Sequence, residues 1–414
     1  MKLYIPRIVD QLLKDALKSS GAVLIEGAKW CGKTRTGREF SNSTLYMQDP
    51  DTRESSLQAA NIKPSLLLVG AAPRLIDEWQ VAPVLWDAVR HEVDMRGALG
   101  QFILTGSVTP VVDGLTSHTG TGRFSRIRMR TMSLYETNES DGSISLLALF
   151  EGNQEVSGIN DITVEKIALY ITRGGWPGSL MMETEFAEIS AQNYLDSLVN
   201  SDVSNVDGTE KNHQKMMAVI RSLARNISTE VKHSTIIRDL SNDNESISRP
   251  TLSSYLNVLE RLFVLEDLEA WVPRLRSSTR LRTSPKRHFV DPSIATAALG
   301  VNSKGLLKDF NTFGFVFESL CIRDLKIYAE SIGGNVYHYR DSNNLECDAV
   351  VVLRDGRWGA VEIKLGSHEI DKAAINLKSL VKNVVNPPSF LMVLTGTNLS
   401  YQREDDVYVV SIGS

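Results

Sequence analysis

Residues 27–34 read "GAKWCGKT", and their reading decides the fold. The apolar run "AVLIEG" (22–27) leads into them as a strand, and a polar helix begins after Lys33 and Thr34. Strand, glycine loop and helix in that order make a cradle for phosphates. Gly27 and Gly32 let backbone N–H groups curl around a β-phosphate, and the helix N-terminus favours its negative charge. Lys33 is expected to neutralise the β- and γ-phosphates of ATP, and the Thr34 hydroxyl to ligand Mg2+.

Further along, "PRLIDEWQ" (73–80) is a short apolar strand ending in Asp77 and Glu78. Hydrolysis of a nucleotide needs one carboxylate to hold Mg2+ through water and a neighbour to orient or deprotonate the attacking water. Asp77 suits the first role and Glu78 the second. The strand "FILTGS" (102–107) brings Thr105 to the tip beside the phosphates, where a polar side chain senses the γ-phosphate. In "TGTGRFSRIRMRTMSLYE" (119–136), Arg123 follows a glycine-containing loop and is a phosphate contact for its own or a neighbouring subunit. Arg126, Arg128 and Arg130 alternate with Ile127 and Met129, the pattern of a strand with one basic and one apolar face.

Composition narrows the rest. At 414 residues the chain has room for two to four domains, and its net charge of −5 gives no global pull towards nucleic acid or membrane. No apolar run approaches the ~18 residues of a membrane span. The start, "MKLYIPRIVD", lacks the apolar core of a secretion signal. Cys31, Cys321 and Cys347 are scattered without metal spacing and read as reduced thiols of a cytoplasmic protein.

The middle of the chain turns helical. "QKMMAVIRSLARNIS", "STIIRDLS" and "SRPTLSSYLNVLERLFVL" predict three helices, the third capped by Ser248 with Pro250 in its first turn. Leu252, Tyr255, Leu256, Leu259 and Phe263 form an apolar stripe, leaving Thr251, Ser254, Asn257 and Arg261 outward. Six Lys/Arg residues and no acid lie between Val272 and Val290: Arg274, Arg276, Arg280, Arg282, Lys286 and Arg287. Three helices and a basic ribbon resemble a winged helix-turn-helix, which implies DNA as a partner, with Asn257 and the four arginines Arg274 to Arg282 against it. A module that packs only against protein is the rival reading.

The C-terminal stretch predicts a helix and three strands. Glu318 lies on "FVFESLCIRDL", Asp348 opens "DAVVVL", and Glu362 and Lys364 share one face of "AVEIKLG". An acid followed by Glu-x-Lys on the next strand resembles the PD-(D/E)XK nuclease fold. That resemblance implies Mg2+ on Asp348 and Glu362, completed by Glu318, with Lys364 acting on water or on transition-state charge. Glu346 and Cys347 precede Asp348 where that pattern has proline.

Taken together, "GAKWCGKT", "LIDEWQVAP", "ILTGS", "TGRFSRIRMRTMSLYE", "GGWPGSL", "KRHFVDPSIATAALG" and "VFESL…YRDSNNLECDAVV…AVEIK" resemble the prokaryotic predicted AAA+ ATPases that carry a C-terminal domain of unknown function. The resemblance implies a multidomain α/β chain: a P-loop NTPase core (1–150), a helical lid (151–208), a winged-helix domain (209–304) and a nuclease-like αβββ domain (305–414). It also places Gly174, Gly175 and Pro177 in a lid turn close to the nucleotide. Trp176 stands where the family more often has a smaller aromatic. Two functions follow: ATP-driven binding and cutting of DNA, or an ATP-dependent switch whose C-terminal domains bind DNA or a protein without chemistry. A small-molecule kinase fits less well with Asp77–Glu78 and the appended domains. Homo-oligomers and a protein partner both suit the class.

Overall fold

The computed structural model describes residues 4–108, 121–203, 211–242, 245–273, 284–343 and 345–414. The chain divides into two compact units. One comprises residues 1–131, 202–210 and 257–264, and the other 132–201, 211–256 and 265–414.

The first unit begins with α1 (Val9–Ser19), β1 (Ala22–Glu26), α2 (Lys33–Glu39), β2 (Ser43–Tyr46) and α3 (Arg53–Ile62). It continues through β3 (Arg74–Asp77), α4 (Val84–Arg96), β4 (Phe102–Gly106) and β5 (Phe124–Arg128). The sheet runs in the order β2-β3-β4-β1-β5, and every pairing is parallel. Strand alternation explains its two cores. Ala22, Leu24, Ile76, Phe102 and Leu104 pack into one cluster with Leu85 and Val89 of α4. Val23, Ile25, Leu75 and Ile103 point the other way, against Leu13 of α1, with Ile127 and Met129. A sheet buried on both faces needs continuous apolar strands, which is how these segments read. Ligands of such sheets bind outside the carboxyl ends of the strands, where β1, β3 and β4 deliver Gly27, Asp77 and Gly106.

In the second unit come α5 (Leu146–Glu151), β6 (Ser157–Ile159), α6 (Val164–Arg173), α7 (Thr184–Ser197), α8 (His213–Arg225) and α9 (His233–Asn242). Next are α10 (Arg249–Arg261), which continues past the boundary at residue 257, then α11 (Pro292–Leu299), α12 (Ser303–Leu306) and α13 (Phe310–Ser331). The end of the chain holds β7 (Gly334–Arg340), β8 (Glu346–Leu353), β9 (Trp358–Lys364), α14 (Ile370–Val381), β10 (Phe390–Thr395), β11 (Leu399–Gln402) and β12 (Tyr408–Ser411).

The expected helix and three strands are α13, β7, β8 and β9, but the sheet is larger than that. It has seven strands in the order β6-β11-β12-β10-β9-β8-β7. Its first edge, β6, comes from the segment expected to open the lid and pairs antiparallel with β11. The α14 side is apolar: Trp358, Ala360 and Val393 meet Ala373, Ala374, Leu377 and Leu380. Among the described residues no helix is long and apolar enough to cross a membrane.

Candidate functional site

The P-loop leaves β1 at Gly27, where a Cβ would lie 2.1 Å from the carbonyl oxygen of Met129, so no side chain fits. Gly32 has φ +107°, a conformation that favours glycine, and hands the chain to α2 at Lys33. Lys33 is buried, and its Nζ donates to the carbonyls of Gly27 (2.9 Å) and Ala28 (2.8 Å). The ammonium therefore lies inside the loop that would wrap the phosphates. Trp30, at the crest of the loop, is 60% exposed.

Asp77 and Glu78 reach the same strand ends. Thr34 Oγ1 donates to Asp77 Oδ1 at 2.7 Å, and Thr105 Oγ1 donates to the same oxygen at 2.6 Å. Glu78 leaves the strand at φ +56°, and its N–H donates to Thr105 Oγ1 at 3.2 Å. Ser107 Oγ donates to Glu78 Oε2 at 2.9 Å, and Gln80 Nε2 approaches the same oxygen. Thr105 is thus turned onto the carboxylate strand, and Ser107, two residues further along the same strand end, is the hydroxyl that reaches Glu78. The donor set suits a nucleotide with Mg2+: a glycine cradle, one ammonium, one hydroxyl and one carboxylate, the hard-oxygen chemistry Mg2+ takes alongside phosphates.

Arg123 is 45% exposed at its side chain and pairs with Asp94 of α4 at 2.9 Å. Arg126 pairs with Glu26 at 2.9 Å and lies over the Trp86 ring. Ile127 and Met129 are buried, as the alternation predicts, but Arg130 is buried as well. The expected basic face therefore ends before Arg130.

In the second unit Gly175 N–H donates to Asp291 Oδ2 (3.0 Å) and Trp176 Nε1 to Ser293 Oγ (2.9 Å). The "GGWPGSL" turn, Pro177 included, follows directly on α6 and is tied to the N-terminus of α11. Arg323 of α13 joins it, pairing with Asp291 at 3.0 Å and Asp324 at 2.7 Å.

The three middle helices are α8, α9 and α10, with Ser248 accepting from Thr251 N–H at 3.3 Å at the start of α10. Leu252, Tyr255, Leu256, Leu259 and Phe263 are buried, while Asn257 is exposed. A ribbon follows through the antiparallel bridges Leu265–Phe289 and Leu268–Lys286. Arg274, Arg276, Arg280 and Arg282 lie outside the described residues. The two described members of the basic run, Lys286 and Arg287, are both buried. Each has an acid to answer it, Arg287 on Asp267 and Lys286 on Glu318.

Glu318, Asp348, Glu362 and Lys364 do converge. Ala349 of β8 pairs with Val361 of β9, so the next step along the ladder brings Asp348 to Glu362. Lys364 Nζ lies 2.7 Å from Glu362 Oε2 and 3.1 Å from Asp348 Oδ2. Ile363 N–H donates to Asp348 Oδ2 at 2.9 Å, and Asn376 Nδ2 to Glu362 Oε1 at 2.5 Å. Lys286 was the residue missed: its Nζ lies 2.7 Å from Glu318 Oε1 and 3.4 Å from Asp348 Oδ1.

Burial pushes Glu318 up to about 7 even though Lys286 lies beside it. It also works against the charge of Asp348, yet Lys286 and Lys364 hold that carboxyl below the usual range. Burial, then Asp348, push Glu362 up. Burial opposes the charge on Lys286 as well, but Glu318 and Asp348 outweigh it and raise its pKa. This donor set does not fit the divalent cation expected of a nuclease. Among the described residues no group of three or more His, Cys, Asp or Glu side chains is placed to hold a metal ion.

Comparison with known proteins agrees with the first unit. Residues 19–138 match a family model described as an AAA domain. Residues 164–305 and 313–414 match two models, each described as a domain of unknown function. An uncharacterized protein of Mycobacterium tuberculosis is 23% identical over 356 residues, 85% of this chain and 72% of that protein. One of Haemophilus influenzae is 24% identical over 198 residues, 48% of this chain and 46% of that protein. Among solved structures, a Walker-type ATPase of Pyrococcus abyssi is 12% identical, covering 70% of this chain and 94% of its own, with a TM-score of 0.41. The AAA-domain match and the strand–loop–helix geometry identify a P-loop ATPase fold.

Proposed function

We propose that this protein binds and hydrolyses ATP and uses the nucleotide state to control the rest of its chain. The observation that carries the reading is the convergence of Lys33, Thr34, Asp77 and Glu78 on the P-loop, each held by a named hydrogen bond. Lys33 exchanges its carbonyl partners for the β- and γ-phosphates. Asp77 and Thr34 would hold Mg2+, which would neutralise phosphate charge. Glu78, steadied by Ser107, orients a water and takes its proton as the water oxygen attacks the γ-phosphorus. The bond to the β-phosphate oxygen breaks, and ADP and phosphate leave. Titrating a fluorescent ATP analogue into wild type and Lys33→Ala tests the binding step. Saturable binding lost in the variant supports it; equal binding, or none in either protein, contradicts it.

DNA is the partner that the middle region suggests. What supports this reading is sequence: three helices followed by an acid-free run that carries Arg274, Arg276, Arg280 and Arg282. Replacing Arg280 and Arg282 with Gln is expected to weaken DNA binding and flatten its salt dependence; unchanged binding removes the wing from the account. For the C-terminal unit we favour the switch over the nuclease. The pairing of Lys286 with Glu318 and Asp348 is the observation that supports it.

A further inference from the structure

The C-terminal cluster holds three carboxylates and two ammonium groups in a largely buried setting. Asp348 is the centre. Its Oδ2 accepts from Lys364 and from the N–H of Ile363, while its Oδ1 faces Lys286. Glu362 is engaged on both oxygens, by Asn376 and by Lys364. Glu318 joins the group through its hydrogen bond from Lys286. The Lys286 ammonium therefore lies between Glu318 and Asp348, two of the three carboxylates expected to hold a metal.

The backbone fixes Lys286 there. Lys286 and Leu268 exchange both backbone hydrogen bonds, at 2.9 and 3.0 Å, which sets the register of the ribbon. Strand alternation then turns Lys286 and His288 to one face and Arg287 to the other. On the first face Lys286 meets Glu318, and His288 Nδ1 lies 3.4 Å from Ser319 Oγ. On the second, Arg287 meets Asp267. The Lys286 side chain is only 8% exposed, so the ammonium is committed to these partners.

We propose that Lys286 is the resident cation of this cluster, replacing a divalent metal, so that the C-terminal unit binds no Mg2+ or Mn2+ at Asp348 and cleaves no phosphodiester. Mg2+ demands roughly six oxygen ligands at about 2.1 Å in an octahedron. Here both oxygens of Asp348 and both of Glu362 already face nitrogen donors. A divalent ion would also have to settle beside two ammonium groups, at a Coulomb cost that burial magnifies. A lysine bound to carboxylates gives charge balance but no open coordination position, and it cannot activate a water as a metal does. The inference stands apart from the nucleotide reading, since none of its residues belongs to the P-loop.

The test is Mn2+ binding by the full chain, followed by electron paramagnetic resonance without nucleotide. It compares wild type, Asp348→Asn, Lys286→Ala and the double variant. Lys286→Met, which keeps the apolar stem, stands in should the alanine variant fail to fold. The expected result is that wild type and Asp348→Asn bind Mn2+ alike, while the Lys286 variant gains a site at least roughly tenfold tighter. That new site disappears in the double variant. Mn2+ bound by wild type and lost in Asp348→Asn would overturn the proposal. So would the failure of folded Lys286 variants to gain an Asp348-dependent site. Loss of ATP binding in Lys33→Ala leaves either result unchanged, so the two readings fail separately.

Discussion

Thr34 Oγ1 donates to Asp77 Oδ1 at 2.7 Å across 43 residues of sequence. This bond joins the helix that follows the P-loop to the strand that carries the carboxylate pair. Both groups offer oxygen at the mouth of the glycine cradle and would hold Mg2+ there. Wild type is expected to bind ATP more tightly with Mg2+ than with EDTA, and Asp77→Asn to lose roughly tenfold or more of that gain, about 1.4 kcal/mol. Titrations of the fluorescent analogue with and without Mg2+ check this. A variant that keeps the full Mg2+ effect would remove Asp77 from the metal's surroundings.

The buried pair of Asp291 and Arg323 makes a prediction about stability. Asp291 accepts from Gly175, from Ser293 and from Arg323, and is fully buried. Asp291→Ala leaves the Arg323 guanidinium with Asp324 as its one acid among the described residues and should cost about 3–5 kcal/mol. Denaturant unfolding followed by tryptophan fluorescence is the measurement, with a lower transition midpoint expected. An unchanged midpoint would mean that the "GGWPGSL" turn is not held by this pair.

A pH effect follows from His338. Its ring is fully buried, and burial, with Lys286 nearby, depresses its pKa to about 4 against an ordinary 6.5. Between those values the unfolded chain takes up a proton that the folded chain refuses. Stability present above about 6.5 is therefore lost as the pH falls towards 4. Glu318 acts in the opposite sense, because its folded pKa of about 7 lies above the ordinary 4.5. The useful quantity is the difference between wild type and His338→Gln in midpoints at pH 7 and pH 5. The variant should lose less on acidification over that window, by about 2 kcal/mol. Parallel losses would contradict the assignment.

The P-loop fold was legible because its signature is local. Gly27, Gly32, Lys33 and Thr34 sit within eight positions of sequence, and their spacing is what predicts the strand–loop–helix turn. The buried faces of β1, β3 and β4 were readable for a similar reason, since apolar runs of that length suit a sheet covered on both sides. Lys286 was not legible. Its partners Glu318 and Asp348 are 32 and 62 residues away, and in sequence it is one of six basic residues in an acid-free run. Only the register of Lys286 with Leu268 turns it inward. The same holds for β6, three exposed residues whose strand character comes wholly from pairing with β11. Thr105 was placed correctly at a strand tip, but sequence could not tell that its hydroxyl would turn to Asp77 rather than outward.

Phosphate release by the purified chain with ATP and Mg2+, measured beside Lys33→Ala and Glu78→Gln, tests the central claim most directly. The account predicts steady turnover in wild type and none in Lys33→Ala, which cannot hold the phosphates. Glu78→Gln should bind ATP normally yet turn over roughly 100- to 10,000-fold more slowly, the loss expected of a general base. Absence of turnover in wild type, or equal turnover in all three proteins, would contradict it.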